Sequence, residues 1–454
     1  PLDGFVYDTA LAGYLLDATA GDYSLGRLSM GYCGMELDGA EAVYRLRPVT
    51  EKKLEQLGMT KLFYEIEMPL CRVLADMQEQ GFMIDKAALM SFGEGLTGTI
   101  AELERAIYEQ AGCEFNINSP KQLGEVLFDK LMLPAGKKTK TGWSTNADVL
   151  EKLRGKHPIV NMVLDYRMLT KLKSTYADGL LKLIDPDGRI RTKFQMTVTA
   201  TGRLSSTDPN LQNIPIRKEL GSHIREMFIA SKGNVLVDAD YSQIELRLLA
   251  HISGDEHMRA AFLSGEDIHT VTASQVFNTP IDEVTPLQRS RAKAVNFGIV
   301  YGISPWSLAQ DIGVTQGEAK AYMDAYLNKY DGVREYMKSI VEKAKQDGYV
   351  TTIYSRRRDL PELKSSNFNT RSFGERVALN MPIQGTAADI IKLAMVNVYN
   401  RLKAEGLKAR LILQVHDELI CECPESEAQT VADILREEMS GAAKLSVPLT
   451  VDAK

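Results

Sequence analysis

The chain has 454 residues, 44% of them hydrophobic and 25% charged, a composition typical of a soluble globular protein. It contains no apolar run of about 18 residues, which excludes a membrane-spanning helix, and its length predicts two to four compact units. The net charge of −6 alone argues against nucleic acid as a partner, because neutralising phosphates requires Lys and Arg.

A basic region in the first half of the chain reverses that inference. Residues 1–62 form a short piece that we interpret as an incomplete domain, and the pattern at 63–190 favours long helices. The segment from Ser119 to Tyr176 contains eleven Lys and Arg residues and five acidic residues, a net charge of +6. This excess predicts a track for DNA, and the run at 136–142 predicts an exposed loop that could follow phosphates. The alternative is a solvated charged surface.

Further along the chain, an apolar segment leads into two acidic residues. Residues 235–237 predict a strand that ends at Asp238 and Asp240. Carboxylates in this setting suit a hard divalent ion such as Mg²⁺, held together with substrate phosphates. The alternative is a solvated acid in a turn.

A helix with one mixed basic and aromatic face is predicted next. Thr285 and Pro286 are typical of a helix start, and Gly302 of its end. Four residues recur between them at every fourth position: Arg289, Lys293, Phe297 and Tyr301. A triphosphate could lie along the basic half while a sugar and base stack on the aromatic half. The alternative, favoured for an isolated helix, is a surface helix with two solvated bases and two core aromatics.

Two adjacent carboxylates, Asp417 and Glu418, stand between the apolar runs 411–413 and 419–420. This pattern predicts a hairpin with the acidic residues at its tip. If the fold brings Asp417 beside Asp240, the two form an oxygen-rich site for Mg²⁺. Here too the alternative is a solvated turn acid.

Together these segments resemble motifs A, B and C of the family A DNA polymerases, the bacterial DNA polymerase I group. Residues 240–247 resemble motif A, 289–302 motif B and 414–418 motif C. Three further segments occur in the family's order: 199–206, 210–215 and 376–389. Several long motifs in one order are more specific than any single pattern. The resemblance implies a DNA-directed DNA polymerase that adds dNTPs to a primer 3′-hydroxyl in replication and repair gap filling.

The implied fold is α+β, with the right-hand polymerase architecture: a palm with a mixed or antiparallel sheet, helical fingers and a helical thumb. The expected domains are a truncated exonuclease-like remnant at 1–62, the thumb at 63–190, the palm at 191–253 and 372–454, and the fingers at 254–371 with the motif B helix at 286–302. The chain thus resembles a Klenow-type large fragment.

No proofreading is expected from this chain. Tyr7, Asp8 and Thr9 resemble one acidic motif of the family's exonuclease domain, but the other motifs of that site are missing. A two-metal nuclease needs several carboxylates around its ions. We therefore interpret Asp8 as a structural remnant.

The resemblance also implies the metal and phosphate chemistry. Asp240 and Asp417, with Tyr241 as a further ligand position, would hold two Mg²⁺ ions about 3.5–4 Å apart, and Mn²⁺ could substitute. Glu418 would be a less firm ligand. Arg289 and Lys293 would neutralise the leaving pyrophosphate, with Lys293 as a proton donor.

Selectivity and DNA contacts follow from the same resemblance. Glu245 would be the steric gate against a ribose 2′-hydroxyl; its alternative is a helix-start acid. Phe297 would pack on the deoxyribose and Tyr301 near the templating base. Gln243 and His416 complete the substrate-binding set, His416 beside the primer end. The expected DNA-binding residues are Arg203, Arg376, Asn380, Gln384, Asn210, Gln212, Lys171 and Lys173.

One residue departs from the family's pattern: Ser355 stands where glycine is expected and would stiffen its turn. Two rival functions remain, a single-subunit phage-type RNA polymerase and a catalytically silent DNA-binding scaffold. Glu245 and Phe297 argue against the first, and the presence of Asp240 and Asp417 against the second.

The expected partners are primer-template DNA and dNTPs, without a membrane, and the expected state is a monomer. The five cysteines form no zinc-ligand spacing and predict reduced thiols. A bacterial, cytoplasmic and nucleoid-associated location follows as an expectation.

Overall fold

The computed structural model describes residues 4–134, 138–139, 142–215 and 219–454. The chain divides into two compact units. The larger comprises Pro1–Gln80, Lys193–Thr207 and Lys232–Lys454, and the smaller comprises Gly81–Thr192 and Asp208–Ser231. Both combine helices with small antiparallel sheets, which confirms the α+β class. None of the helices in the described ranges combines the length and the apolar composition that a membrane span requires.

A four-stranded antiparallel sheet lies at the centre of the larger unit. Its strands follow the order Arg410–Val415, Glu418–Pro424, Asn234–Tyr241 and Val451–Ala453. Helix Ala428–Gly441 packs on one face, where the Tyr241 hydroxyl donates to the Met439 carbonyl oxygen at 2.6 Å. Successive side chains of a strand point to opposite faces, so Asp240 lies on the other face.

The predicted hairpin around Asp417 is confirmed, since its two strands pair and leave His416 and Asp417 in the turn. The prediction that the other strand ends at its acidic residues is wrong, because Asn234–Tyr241 continues through Asp238 and Asp240. Pairing on both sides of this strand carries it past the acidic residues.

Helices make up most of the remainder of the larger unit. The longest, Phe368–Ala404, contains Pro382 and packs against Met68–Gln80, Ile244–Ser253 and Asp331–Asp347. The other helices are Thr9–Leu16, Leu25–Cys33, Gly39–Gln56, Glu256–Ser264, Ile268–Val276, Pro286–Val300, Pro305–Ile312 and Gln316–Lys329, with a π-helical turn at Leu62–Glu67. Short 3₁₀ turns lie at Ile281–Glu283, Pro361–Lys364 and Glu425–Glu427, and two small hairpins pair Lys193–Gln195 with Ser205–Thr207 and Tyr349–Thr351 with Arg357–Asp359.

The helix predicted from the mixed basic and aromatic face runs from Pro286 to Val300. The predicted start at Thr285 and Pro286 is confirmed, and the structure adds a reciprocal cap between Thr285 and Gln288. The helix ends two residues before the predicted stop, because Tyr301 and Gly302 leave the helical conformation, Gly302 with φ +64°.

Asp8, interpreted as a structural remnant, caps the first helix. Its side chain accepts a hydrogen bond from the Leu11 N–H at 2.9 Å, at the start of Thr9–Leu16. This contact gives Asp8 a structural role of its own, because such a cap satisfies one of the unpaired N–H groups at a helix start.

The smaller unit is built on helix Lys86–Ala111, which packs against Pro158–Lys171 around a buried apolar core. Its other elements are helices Pro120–Gly124, Ala147–Lys152, Asp178–Leu181 and Glu219–Glu226, π-helical turns Glu125–Lys130 and Leu172–Ala177, a 3₁₀ turn Leu211–Asn213, and strands Phe82–Met83 and Arg189–Ile190, which pair with each other. Of the loop predicted at 136–142, residues 136–137 and 140–141 lie outside the described residues. Lys138–Thr139 pairs with Gly142–Trp143.

Ser355 occupies a backbone conformation that favours glycine, with φ +68°. A non-glycine residue there is strained rather than merely stiffened. We expect Ser355→Gly to raise the free energy of unfolding by about 0.5–1 kcal/mol. Denaturant unfolding would measure this, with Ser24→Gly as control, since Ser24 has φ −62° and makes no side-chain cap hydrogen bond. A loss of stability in Ser355→Gly equal to that of the control would contradict the prediction.

Candidate active site

Three strands of the central sheet bring three carboxylates into one row. Glu418 is the register partner of Asp240, and Asp452 is its partner on the other side. Directly opposed residues point to the same face, so all three side chains lie on the face away from Ala428–Gly441. Like charges in this arrangement repel each other.

Asp417 joins this row from the turn. Its carbonyl oxygen accepts a hydrogen bond from the Tyr241 N–H at 3.2 Å, which fixes the hairpin tip beside the neighbouring strand. His416, with φ +54°, accepts at its carbonyl oxygen from the Gln414 side chain at 2.5 Å. The structure therefore brings Asp240, Asp417 and Glu418 together, as the sequence predicts.

The electrostatics of the row favour a cation. Partial loss of solvation raises the pKa of Asp240 to about 7, and the charges of Asp417, Asp238 and Asp452 add to the rise. Burial likewise raises the pKa of Asp417. Both shifts show that the negative forms are disfavoured without a counter-charge.

The donor set fits a hard divalent ion. The row offers carboxylate oxygens only. Two residues before Asp240 on the same strand, Asp238 Oδ1 is also buried, with no hydrogen-bond partner among the described residues. Oxygen ligands of this kind suit Mg²⁺ or Mn²⁺. Within the described part of the chain, no three His, Cys, Asp or Glu side chains are already arranged as a complete metal site. Substrate phosphates and water would have to supply the remaining ligands.

A second cluster forms around the buried carboxylate of Glu245, which is 6% exposed. Arg203 donates to Oε1 at 2.5 Å, and the Tyr301 hydroxyl donates to Oε2 at 2.8 Å. Asn380 donates to the Tyr301 carbonyl oxygen at 3.3 Å. Burial, followed by the charge of Glu245, raises the pKa of Tyr301, so its hydroxyl remains a donor. Both oxygens of the predicted gate are thus held.

Gln243 and Glu245 begin one helix, Ile244–Ser253. Gln243 takes φ +56° and gives the chain the sharp turn from strand to helix. Glu245 lies in the first turn of that helix, the location given by its alternative interpretation. Its two side-chain partners show that it does more than favour the helix start.

The basic and aromatic helix face is present, and Arg289 on it already has a partner. The Arg289 guanidinium donates to both oxygens of Asp267, at 2.6 and 3.1 Å. Burial opposes ionisation of Asp267, but hydrogen bonds from Arg289 and Thr270 outweigh it and lower the pKa to about 2. The Phe297 and Tyr301 rings lie nearly parallel with centroids 6.3 Å apart. Lys293 Nζ is 6.0 Å from the Phe297 centroid.

His269 is a site residue that the sequence did not reveal. Its ring lies 5.8 Å from the Phe297 ring, and Nδ1 is 3.1 Å from the side-chain nitrogen of Asn296. Burial lowers the pKa of His269 to about 4, so it is neutral at physiological pH. Asn296 could have indicated a buried polar partner, because it is a polar residue on the buried side of the predicted helix.

Three of the predicted DNA-binding residues share one face of helix Phe368–Ala404. They are Arg376, Asn380 and Gln384, at every fourth position. Arg376 borders an open cavity of about 790 Å³, together with Phe297, Tyr301 and Ser307. This cavity joins the helix face to the aromatic end of Pro286–Val300.

Arg203, which pairs with Glu245, also lies in the larger unit, whereas the other four predicted DNA-binding residues belong to the smaller unit. Lys171 and Asn210 border a cavity of about 470 Å³ beside Tyr176. Asn210 also accepts from the Gln212 N–H at 3.0 Å and so shapes the turn at Leu211–Asn213. Lys173 forms an ion pair with Asp178 at 2.6 Å, and this pair neutralises its charge in this structure.

Comparison with known proteins agrees with this geometry. Residues 86–454 match the sequence profile of DNA polymerase family A. The chain belongs to this family. DNA polymerase I of Caldicellulosiruptor bescii is 48% identical over 457 residues, covering 98% of this chain and 54% of that protein. DNA polymerase I of Bacillus subtilis is 54% identical over 415 residues, covering 91% of this chain and 47% of that protein.

The family A fold is also seen in a solved structure, the POL domain of Pol1 from M. smegmatis in complex with DNA primer-template and dNTP. It is 44% identical with a TM-score of 0.94, covering 98% of this chain and 80% of that chain. The α+β polymerase fold expected from the sequence is therefore confirmed. This chain spans about half the length of the curated relatives.

Proposed function

We propose that this chain is a DNA-directed DNA polymerase, which adds dNTPs to a primer 3′-hydroxyl in replication and repair gap filling. The observation that carries the proposal is the meeting of Asp240, Asp417 and Glu418 at one place on the central sheet in a member of family A. The similar M. smegmatis domain was solved with primer-template and dNTP. By analogy, we propose primer-template DNA and dNTPs as partners.

Asp240 and Asp417 are proposed as the principal metal ligands. The Tyr241 phenol points to Met439 across the sheet, so only the Tyr241 backbone carbonyl could act as a ligand. Glu418, opposite Asp240, is the less firm ligand. Two Mg²⁺ ions, or Mn²⁺, would activate the primer 3′-hydroxyl and hold the triphosphate when bound.

The basic helix face is proposed to bind and neutralise the triphosphate. Asp267 orients the Arg289 guanidinium, and Lys293 carries the next positive charge one turn on. Lys293 is the proposed proton donor to the leaving pyrophosphate. Neutral His269, beneath Phe297, supports the aromatic ring on which the deoxyribose would pack.

Glu245 is proposed to exclude ribonucleotides. Arg203 and Tyr301 hold its carboxylate in one place, so it can occupy the space of a 2′-hydroxyl without adapting to it. Tyr301 would lie near the templating base, and His416 beside the primer end.

DNA contacts are proposed on both units. In the larger unit, Arg203 and Gln384 could donate to minor-groove acceptors that every correct base pair presents, while Arg376 and Asn380 extend the same helix face. In the smaller unit, Lys171, Lys173, Asn210 and Gln212 would contact the backbone. We propose the smaller unit as part of the thumb, the central sheet as the palm and residues 254–371 as the fingers.

Primer extension on a short primer-template with Mg²⁺, using dNTPs and rNTPs in parallel, tests the proposal. We expect extension with dNTPs only, and none in Asp417→Ala, because the site loses a carboxylate that the metal ions require. Asp433→Ala is the matched control, since Asp433 is 48% exposed and pairs with Arg436. Tight DNA binding without extension in the wild type would support a scaffold instead.

A further inference from the structure

Four charged side chains of the larger unit form a wholly buried ion network. Glu67, Asp389 and Lys392 have side chains that are 0% exposed, and that of Arg356 is 3% exposed. Arg356 donates to Asp389 Oδ1 through Nε at 2.8 Å and also contacts Glu67. Lys392 donates to Glu67 at 2.7 Å.

Stability alone does not explain this network. Replacing a buried ion network by apolar side chains is often neutral or stabilising. Two polar atoms, Glu67 Oε2 and one Arg356 nitrogen, are also buried without a hydrogen-bond partner among the described residues. A neighbouring residue, in contrast, requires a guanidinium at this place.

That neighbour is Gly202. It has φ +89°, and a Cβ atom there would lie 2.5 Å from Nε and 2.8 Å from Cζ of Arg356. Only glycine allows the backbone to lie this close to the flat face of the guanidinium. The contact seats the loop that joins strands Lys193–Gln195 and Ser205–Thr207.

The same loop is closed at its other end. The Tyr14 hydroxyl donates to the Thr199 carbonyl oxygen at 2.7 Å, and the Thr199 hydroxyl donates to the Arg203 carbonyl oxygen at 2.7 Å. Arg203 directly follows Gly202, and its side chain reaches Glu245. The position of Gly202 on Arg356 therefore sets the position from which Arg203 reaches the gate.

We propose that Arg356 and Gly202 are positioning residues for sugar selection: the buried guanidinium seats the 199–203 loop so that Arg203 holds Glu245 against a ribose 2′-hydroxyl. This inference rests on the proposed function, since it requires Glu245 to be the gate. A displacement of about 1 Å at a positioned group can cost on the order of 10²-fold in rate, so a small loop shift is enough to matter.

Gly202→Ala tests the contact, with Gly233→Ala as the matched control. Gly233 has φ +85°, and a Cβ there would meet nothing within 4 Å, so the control carries the same backbone strain without touching a neighbour. Single-nucleotide incorporation would give the ratio of kcat/KM for dNTP to that for rNTP. We expect this ratio to fall roughly tenfold or more in Gly202→Ala and to stay within about twofold in Gly233→Ala.

A double-mutant cycle distinguishes this route from general damage. If Gly202→Ala acts through Arg203, the ratio in Gly202→Ala/Arg203→Ala equals that in Arg203→Ala alone; additive losses would overturn the inference. Arg356→Lys keeps the charge but loses the planar fork, so it should lower the ratio as Gly202→Ala does. It therefore tests the inference independently if Gly202→Ala fails to fold.

Glu245→Ala separates the two levels of the proposal. If it lowers the ratio while Gly202→Ala and Arg356→Lys do not, the positioning inference is wrong and the gate assignment stands. If Glu245→Ala leaves the ratio unchanged, the gate assignment fails and the positioning inference fails with it.

Discussion

Asp240→Asn is expected to lower kcat for nucleotide addition by on the order of 10³-fold or more, and at the same time to make the metal-free protein more resistant to heat. The loss of activity follows because an amide oxygen cannot supply the charge that two divalent ions require. The gain in stability follows from the carboxylate row, in which Asp240 lies between Glu418 and Asp452.

The size of this gain in stability depends on pH. Partial loss of solvation, then the charges of Asp417, Asp238 and Asp452, raise the pKa of Asp240 to about 7, whereas an unfolded Asp titrates near 3.9. Between these values the folded protein keeps a proton that the unfolded chain has lost. The folded state is therefore favoured fully below about pH 4, and this contribution is lost as pH rises to 7. Asparagine removes the loss.

Thermal unfolding in the presence of EDTA would measure the difference in stability between Asp240→Asn and the wild type. The midpoint of Asp240→Asn should lie about 1–2 °C above the wild type at pH 8, and the difference should shrink towards pH 5. Asp433→Asn, at an exposed ion pair, should show no gain at either pH. A gain of equal size at both pH values would mean that charge repulsion at Asp240 is not its cause.

The parts of the site that the sequence predicted are those with a local signal. A period of four residues placed Arg289, Lys293, Phe297 and Tyr301 on one helix face, and apolar runs on both sides of Asp417 predicted its hairpin. Each signal lies within about 20 residues of sequence, so the local structure that it predicts does not depend on contacts with distant segments. The predicted helix end was less accurate, because the helix ends at Val300 and not at Gly302.

The unpredicted parts depend on contacts between distant segments. Asp452 lies opposite Asp240 only because the C-terminal strand adds to the edge of the sheet, and Asp267 meets Arg289 through the packing of two helices. The sequence showed that Ser355 departs from the family's pattern, but it did not predict that the φ of Ser355 is positive. Such pairings have no periodicity in the sequence, and each acidic residue alone is equally typical of a solvated surface.

The buried ion network is the clearest case. Glu67 is 289 residues from Arg356 and 325 from Lys392, and nothing near Glu67 in the sequence distinguishes it from an exposed helix acid. Its burial is decided by the π-helical turn Leu62–Glu67 and by the packing of that turn on Phe368–Ala404.

Arg356→Met should lower the free energy of unfolding by about 3–5 kcal/mol, because it leaves Asp389 and Glu67 buried with only Lys392 as a counter-charge. Arg357→Met is the matched control. Arg357 is the next residue, its side chain is 26% exposed, and its pair with Asp359 is worth about 1 kcal/mol or less. Denaturant unfolding of the two variants would compare them directly.

A compensated variant separates the two causes of the loss. If the cost of Arg356→Met lies in unpaired buried charge, then adding Asp389→Asn should restore much of the lost stability, since the amide no longer requires a cation. If the cost lies in the cavity left by the guanidinium, the second substitution restores nothing. Restored stability without restored sugar selection would show that the guanidinium itself, and not the folding energy of the network, seats the loop of Gly202 and Arg203.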